Sequence, residues 1–194
     1  MNSSDSWRCL HPAAAFFILL LISATALYAA APFSFCTARR AAAKGDAKAL
    51  YYLAKCYAKG ENVPQDYVTA AGYMRKSAEL GSPFAQNDLG VFYAKGLGLE
   101  RDFKEAAKWY RKAAENHDPL AQYSMGLIYS IGRGVPTNLH ESMFWYRKAA
   151  KRKQLDALLA LGNIYLEGRP DVRPDANLAF KWSRRRPTGE MRGH

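Results

Sequence analysis

The chain repeats itself every 36 residues, and this period constrains its fold more than any other feature of its 194 residues. A repeat of this length is typical of stacked helix pairs, which usually present a binding surface rather than a reaction site. Four columns of residues recur at this step: Leu53/Leu89/Met125/Leu161, Ala54/Gly90/Gly126/Gly162, Tyr57/Tyr93/Tyr129/Tyr165 and Gly60/Gly96/Gly132/Gly168.

Each repeat predicts two helices joined by a short turn. In the first repeat, Ala49, Leu53 and Tyr57 share one helical face, because helical residues three or four apart are neighbours. The column of small residues should let the second helix approach closely. The glycine column predicts the end of the first helix, since glycine adopts the left-handed conformation without a Cβ clash. A capping side chain is predicted before three of the second helices: Asp66, Asp102 and Asn138.

These residues resemble the Sel1-like repeat family, which is related to the tetratricopeptide repeat. The resemblance is carried best by residues 121–134, with the pattern Ala-x-x-x-Met-Gly-x-x-Tyr-x-x-Gly-x-Gly, and by Trp-Tyr-Arg-Lys-Ala-Ala at 145–150. It implies an all-α, right-handed α-solenoid of about four helix-turn-helix repeats. It also implies an adaptor or scaffold for another protein or peptide, with no catalytic activity and no cofactor.

The resemblance sets the expected domain organisation. The solenoid should occupy residues 46–186, with repeats at 46–82, 83–118, 119–154 and 155–186. The fourth repeat has an extra residue in its 169–174 turn, which shifts its aromatic residue to Trp182, and Pro187 should end its second helix. Residues 32–45 are expected to be a linker and residues 187–194 a polar tail.

The N-terminal part of the chain predicts a membrane-directed segment. Residues 13–31 carry no charge and are close to the length of about 20 residues that spans a bilayer. They also suit the apolar core and cleavage region of a signal peptide, so residues 1–31 are interpreted as a signal peptide or an anchoring apolar helix. Arg39, Arg40 and Lys44 would place the repeats of an uncleaved chain in the cytoplasm. Export is the favoured interpretation, because many proteins of the resembled family carry a signal peptide.

The three cysteines leave two alternatives. Cleavage would remove Cys9, and a bridge between Cys36 and Cys56 could then join the linker to the first helix in an oxidising compartment. In the alternative, which we favour, Cys56 is a small buried residue beside the alanine and glycine column.

No motif for catalysis or metal binding is found. His11, His117, His140 and His194 do not form a metal-ligand pair, and the chain has no Gly-x-Ser-x-Gly elbow or phosphate loop. The pairs Gly96/Gly98 and Gly132/Gly134 are interpreted as turns between helices. We therefore expect a protein that is not an enzyme; the competing class is an accessory subunit of a cell-envelope enzyme.

The first helices supply the candidate partner-binding residues, because related helical repeats bind peptides on this concave face. The third repeat is the most apolar there, and its tyrosine could anchor a partner. The alternative is that curvature of the superhelix buries these side chains. The predicted contact residues are Tyr51, Lys55, Asn87, Val91, Tyr123, Leu127, Ile131 and Asn163.

The net charge of +11 is uneven, with +5 in residues 119–154. A basic patch supplies most of this excess: Arg147, Lys148, Lys151, Arg152 and Lys153. It could contact an anionic partner. We favour the alternative of a solvated helix end whose cations suit the negative end of the helix dipole. Nucleic acid is disfavoured, since no aromatic residues alternate with the patch as a stacking platform.

The last repeat is apolar on several sides of its first helix, and the tail after Pro187 is polar. Solenoids normally end in a polar capping helix. We therefore expect part of the C-terminal face, including Leu159 and Leu166, to be exposed and to allow self-association.

Overall fold

A computed structural model describes residues 34–184, and within this range the chain is helical apart from its turns. The described helices are α1 (Phe35–Ala43), α2 (Ala47–Lys59), α3 (Tyr67–Glu79), α4 (Pro83–Lys95), α5 (Phe103–Glu115), α6 (Pro119–Ile131), α7 (Leu139–Lys151), α8 (Leu155–Glu167) and α9 (Ala176–Ser183). The helices α2–α9 form four consecutive pairs, so the predicted α-solenoid of four repeats is confirmed.

The predicted helix boundaries follow from caps at both ends. Asp66 and Asp102 each accept a hydrogen bond from the backbone N–H two residues further on, at 2.9 and 2.7 Å, and Asn138 accepts one from the Glu141 N–H at 3.0 Å. Gly60, Gly96 and Gly132 end α2, α4 and α6 in the left-handed conformation. The sequence therefore predicts where these helices begin and end.

The fourth repeat departs from this pattern at its turn. Gly168 ends α8, but its ψ of 174° lies outside the left-handed helical region. The longer turn that follows is held by a pair of backbone hydrogen bonds between Arg169 and Val172. The second helix α9 has 8 residues, whereas the other second helices have 13. Trp182 is half-buried in this helix, and Pro187 lies outside the described residues.

The core runs through all four repeats along the predicted columns. Leu53, Leu89, Met125 and Leu161 are almost completely buried. The column of small residues lies against the second helix of the same repeat: a Cβ on Gly90 would be 2.8 Å from the Tyr110 ring. The expected close approach is therefore present.

The tyrosine column joins consecutive repeats. The guanidinium of Arg75 donates to the Tyr93 hydroxyl at 2.8 Å, and Arg147 donates to Tyr165 at the same distance. Each arginine lies on a second helix, and its tyrosine lies on the next first helix. Burial of the tyrosine rings against the core and these hydrogen bonds together set how one repeat stacks on the next.

The segment expected to be a linker contains α1, which packs on the first repeat. Ala38 is fully buried against Ala49 and Leu53. This helix occupies the place that a second helix holds before each later repeat, since Gly45 has the positive φ found 36 residues later at Gly81. The 36-residue register, which also relates Arg39 to Arg75, extends into this segment and could have revealed the helix.

The Cys36–Cys56 bridge does not form. Cys56 is a free thiol, 1% exposed, on α2 beside the buried Ala54. This agrees with the interpretation of Cys56 as a small core residue. Cys9 lies outside the described residues.

The apolar segment 13–31 also lies outside the described residues, as does the tail 187–194. Between residues 34 and 184, none of the helices has the length and apolar character that crossing a membrane requires.

Candidate partner-binding surface

The first helices lie side by side and leave one stripe of each helix uncovered. The stripe follows positions four, three and four apart, which fall on one helical face because the helix has 3.6 residues per turn. None of its members is fully buried. We call these sixteen residues the first-helix stripe: Lys48, Tyr52, Lys55 and Lys59 on α2; Phe84, Asp88, Val91 and Lys95 on α4; Leu120, Ser124, Leu127 and Ile131 on α6; Asp156, Ala160, Asn163 and Glu167 on α8.

A polar cluster connects the stripe of α2 to that of α4. The Tyr51 hydroxyl donates to Asp88 Oδ2 at 2.9 Å, and Lys55 Nζ lies 3.2 Å from the same oxygen. Burial, followed by the charge of Asp88, raises the pKa of Tyr51 well above its usual range. Tyr51 and Lys55, predicted as partner contacts, therefore also hold the first two repeats together.

The predicted residues on α4 offer little surface. Asn87 is 8% exposed, and its Nδ2 donates to Asp88 Oδ1 at 3.3 Å. Val91 is half-buried and packs against the core of the second and third repeats. The accessible apolar group on this helix is instead Phe84, which is 61% exposed and lies beside the ring of Tyr51 at 6.4 Å.

The helix α6 carries the most apolar part of the stripe. Leu127 and Ile131 are 39% and 48% exposed, and Leu120, two turns before Leu127, is 53% exposed. Tyr123 is half-buried and packs on Tyr146 with ring centroids 5.7 Å apart. Burial raises the pKa of Tyr123 and the charge of Asp156 adds to the effect, so Tyr123 acts more as an inter-helix filler than as an exposed anchor.

Sequence reasoning missed Phe84 and Leu120, although a signal for them was present. They stand 36 residues apart at the second position of their helices, seven residues before Val91 and Leu127. Seven residues make about two helical turns, so the stripe could have been extended to them. Asn163, the predicted residue on α8, is exposed on the stripe.

Two side chains of the basic patch contact aromatic residues, and the other three are exposed. Arg147 donates to Tyr165, and Lys148 Nζ lies over the rings of Phe144 and Trp145 at 4.4 and 4.8 Å. The other three members, Lys151, Arg152 and Lys153, are exposed at the C-terminal end of α7. Lys151 belongs to the last turn of this helix, where the negative end of the dipole favours a cation.

The described residues do not bring together a set of metal-ligating side chains. His117 and His140 are both exposed, and His11 and His194 lie outside residues 34–184. The strongest pKa perturbations belong to tyrosines that are buried or hydrogen-bonded between helices. These tyrosines therefore lie at contacts between helices.

Comparison with known proteins gives the same family along most of the described chain. The Sel1 repeat model matches residues 47–82, 83–118, 119–153 and 155–185. Comparison with curated proteins gives no match.

The solved structures that are similar to this chain include the following three. A protective antigen of uropathogenic Escherichia coli with an SLR fold is 38% identical over 77% of this chain, with a TM-score of 0.75. A Sel1 repeat protein from Oxalobacter formigenes is 32% identical over 77% of this chain, with a TM-score of 0.72. The Helicobacter pylori cysteine rich protein B is 25% identical over 64% of this chain and 95% of its own, with a TM-score of 0.51. The match spans 32% of the first protein's length and 61% of the second's.

Proposed function

The chain belongs to the Sel1 repeat family, whose members are generally protein-interaction scaffolds, and from this premise we propose that it binds a partner protein through the first-helix stripe without catalysing a reaction. The stripe is shared by all four repeats, so one partner segment can contact several repeats at once. Its partner is a protein or peptide, because the accessible groups are aliphatic side chains and scattered charges.

The observation that carries this proposal is the accessible apolar row on α6 and α4. Leu120, Leu127 and Ile131 remain between 39% and 53% exposed, and Phe84 lies on the neighbouring helix. Contiguous apolar surface on a soluble domain often marks an interaction site. Burying a fully exposed side chain of this kind is worth roughly 1.5–3 kcal/mol, and because these are about half exposed, each can contribute roughly half of that to a complex. Two or three of them together can still carry much of the affinity.

Site-specific photo-crosslinking tests the proposal. A photoreactive amino acid at Leu127 should capture a partner in the cells that make the protein, and Leu120→Ser should weaken that capture. Tyr123 is a poor choice for substitution, because it packs on Tyr146 and its loss would disturb the fold. The matched control places the same reactive group at Phe144, which is 42% exposed on α7. A binding site on the stripe would be refuted if the partner were captured equally at both positions, or if Leu120→Ser did not weaken its capture at Leu127.

We further propose that residues 13–31 direct the chain to a membrane and that the repeats lie outside the cytoplasm. The support is the uncharged run followed by small residues. A phosphatase fused after His194 should then be active; this junction is preferable to one after Gly45, because α1 belongs to the folded array. An inactive phosphatase with an active cytoplasmic reporter at the same junction would instead place the repeats in the cytoplasm, and recovery of the protein with membranes would then favour a membrane-tethered cytoplasmic adaptor.

A further inference from the structure

The first-helix stripe changes its charge from one end of the array to the other. The stripe of α2 contains three lysines, Lys48, Lys55 and Lys59. The stripe of α6 contains no charged residue, whereas that of α8 contains the two acids Asp156 and Glu167. A partner that lies across the four helices therefore meets a basic end, an apolar centre and an acidic end in this order.

The local ion pairs leave this polarity in place. Lys55 is held by Asp88 at 3.2 Å, and Lys59 lies 3.2 Å from Glu61. Among residues 34–184, Lys48 and Lys95 make no ion pair, so free positive charge remains at the α2–α4 end.

The acidic end is equally accessible. Asp156 accepts a hydrogen bond from the neutral Gln154 side chain at 3.0 Å and makes no ion pair with another residue of the described range. Glu167 reaches Arg169 only at 3.7 Å, with both side chains more than half exposed. Such an exposed pair is weak and can exchange partners when a ligand cation approaches.

The length of the matching segment follows from helix spacing. Neighbouring packed helices lie about 8–10 Å apart, and an extended chain advances about 3.3–3.6 Å per residue. A segment that crosses from α2 to α8 therefore needs about eight to ten residues. The segments 13–31 and 185–194 of this chain do not fit, since residues 13–31 are uncharged and residues 185–194 carry three arginines and a single acid.

We propose that the partner presents an extended segment with acidic residues at one end, apolar residues in the middle and basic residues at the other end. The acidic end lies over Lys48, the apolar middle over Leu120 and the basic end over Asp156, which occupy the same level of their helices because they differ by multiples of 36 residues. This inference rests on the proposed function and adds the chemistry and direction of the ligand.

Three synthetic ten-residue peptides with the same apolar middle test the proposal against the full-length protein by fluorescence anisotropy. One has an acidic and a basic end, one has two acidic ends, and one has two basic ends. The first should bind about fivefold to tenfold more tightly than the others, because each mismatched end loses attraction and gains repulsion at the surface. Salt should reduce this difference.

A charge-reversed variant provides the second arm. Lys48→Glu should transfer the preference to the peptide with two basic ends. The control, Lys76→Glu, makes the same change in net charge on α3 and should keep the original preference. Equal affinity for all three peptides would overturn the polarity. If the three peptides bound equally and Leu127→Ser still abolished their binding, the proposed function would be supported without the charge order. If no peptide bound, the inference would be overturned. Photo-crosslinking at Leu127 would then test the proposed function separately.

Discussion

Gly126→Ala should destabilise the protein, although glycine-to-alanine substitutions inside helices normally stabilise. A Cβ on Gly126 would lie 2.5 Å from Cε1 and 2.9 Å from Cγ of Tyr146, and closer still to Cδ1. The Tyr146 side chain is 3% exposed and packs against Tyr123, so its ring has no free space into which it could move. The new methyl group must therefore push the second helix of the third repeat away from the first.

The magnitude follows from two opposing effects. Replacing glycine by alanine in a helix interior stabilises by about 1 kcal/mol, because the unfolded backbone loses less entropy on folding. Overpacking a filled core costs typically 1–3 kcal/mol. Because the contact with the ring is far below van der Waals distance, the clash should dominate. We expect a net loss of about 1–2 kcal/mol in the free energy of unfolding.

The same column of the array supplies a matched control. A Cβ on Gly162 would meet only the Ala179 carbonyl oxygen, at the ordinary contact distance of 3.7 Å. Gly162→Ala should therefore stabilise by about 0.5–1 kcal/mol. The first repeat also shows how alanine is accommodated, since Ala54 is fully buried there in the same core cluster as Met74, which holds the position of Tyr146 two repeats later.

Urea denaturation followed by circular dichroism measures these differences as shifts of the midpoint at constant slope. Gly126→Ala should lower the midpoint and Gly162→Ala should raise it. In a Tyr146→Met background, Gly126→Ala should become neutral or stabilising, because this pair reproduces the first repeat. A stabilising Gly126→Ala in the parent chain, or a failure of Tyr146→Met to reverse its sign, would refute the steric argument.

Three further outcomes are expected. Burial raises the pKa of the Tyr110 hydroxyl to about 12. Because the unfolded chain loses this proton at lower pH than the folded chain, the free energy of unfolding should fall as the pH rises from about 10 towards 12. Tyr110→Phe should make this fall shallower. Denaturation of the two chains at several alkaline pH values checks this, and equal slopes would contradict it. Cys56 should react with a thiol reagent only at denaturant concentrations that unfold the array, since it is 1% exposed. Rapid labelling of the native protein that peptide mass spectrometry locates at Cys56, rather than at Cys9 or Cys36, would contradict its burial. Leu166 and Phe180 are each 64% exposed on the terminal repeat, so replacing both by lysine should reduce self-association in sedimentation experiments, whereas lysine at Val68, which is 69% exposed on α3, should not.

The sequence predicts individual helices well because their signals are local. The caps at Asp66 and Asp102 and the terminal glycines depend on residues within one helical turn. The buried column through Leu53 repeats with the same period, so periodicity also predicts the core. The helix α1 was not predicted, because its segment is short, rich in alanine and basic and was therefore interpreted as a linker. Gly45 and Arg39 nevertheless keep the 36-residue register of the later repeats.

The candidate site was only partly predictable, because exposure depends on neighbouring helices. Asn87 and Leu127 were both predicted as partner contacts on first helices, and Leu127 lies one repeat and four residues after Asn87. Asn87 is nevertheless buried, whereas Leu127 is accessible. Tyr51 illustrates a second difficulty: its hydroxyl binds Asp88, 37 residues away, and no local pattern identifies that partner. Lys148 differs from Tyr51, because Phe144 and Trp145, whose rings lie under its charge, are four and three residues before it on α7 and are therefore local neighbours.

The sequence by itself determined the repeat, its helix pairs and the residues at the centre of the core, because 36-residue periodicity, capping and helical spacing are properties of the chain alone. The tertiary structure decided which face of each first helix stays open. It also decided that Cys56 is a core residue rather than half of a bridge, and that Gly126 lies directly under an aromatic ring. These outcomes depend on how closely one helix packs on the next, and that distance is set by side chains from different repeats acting together.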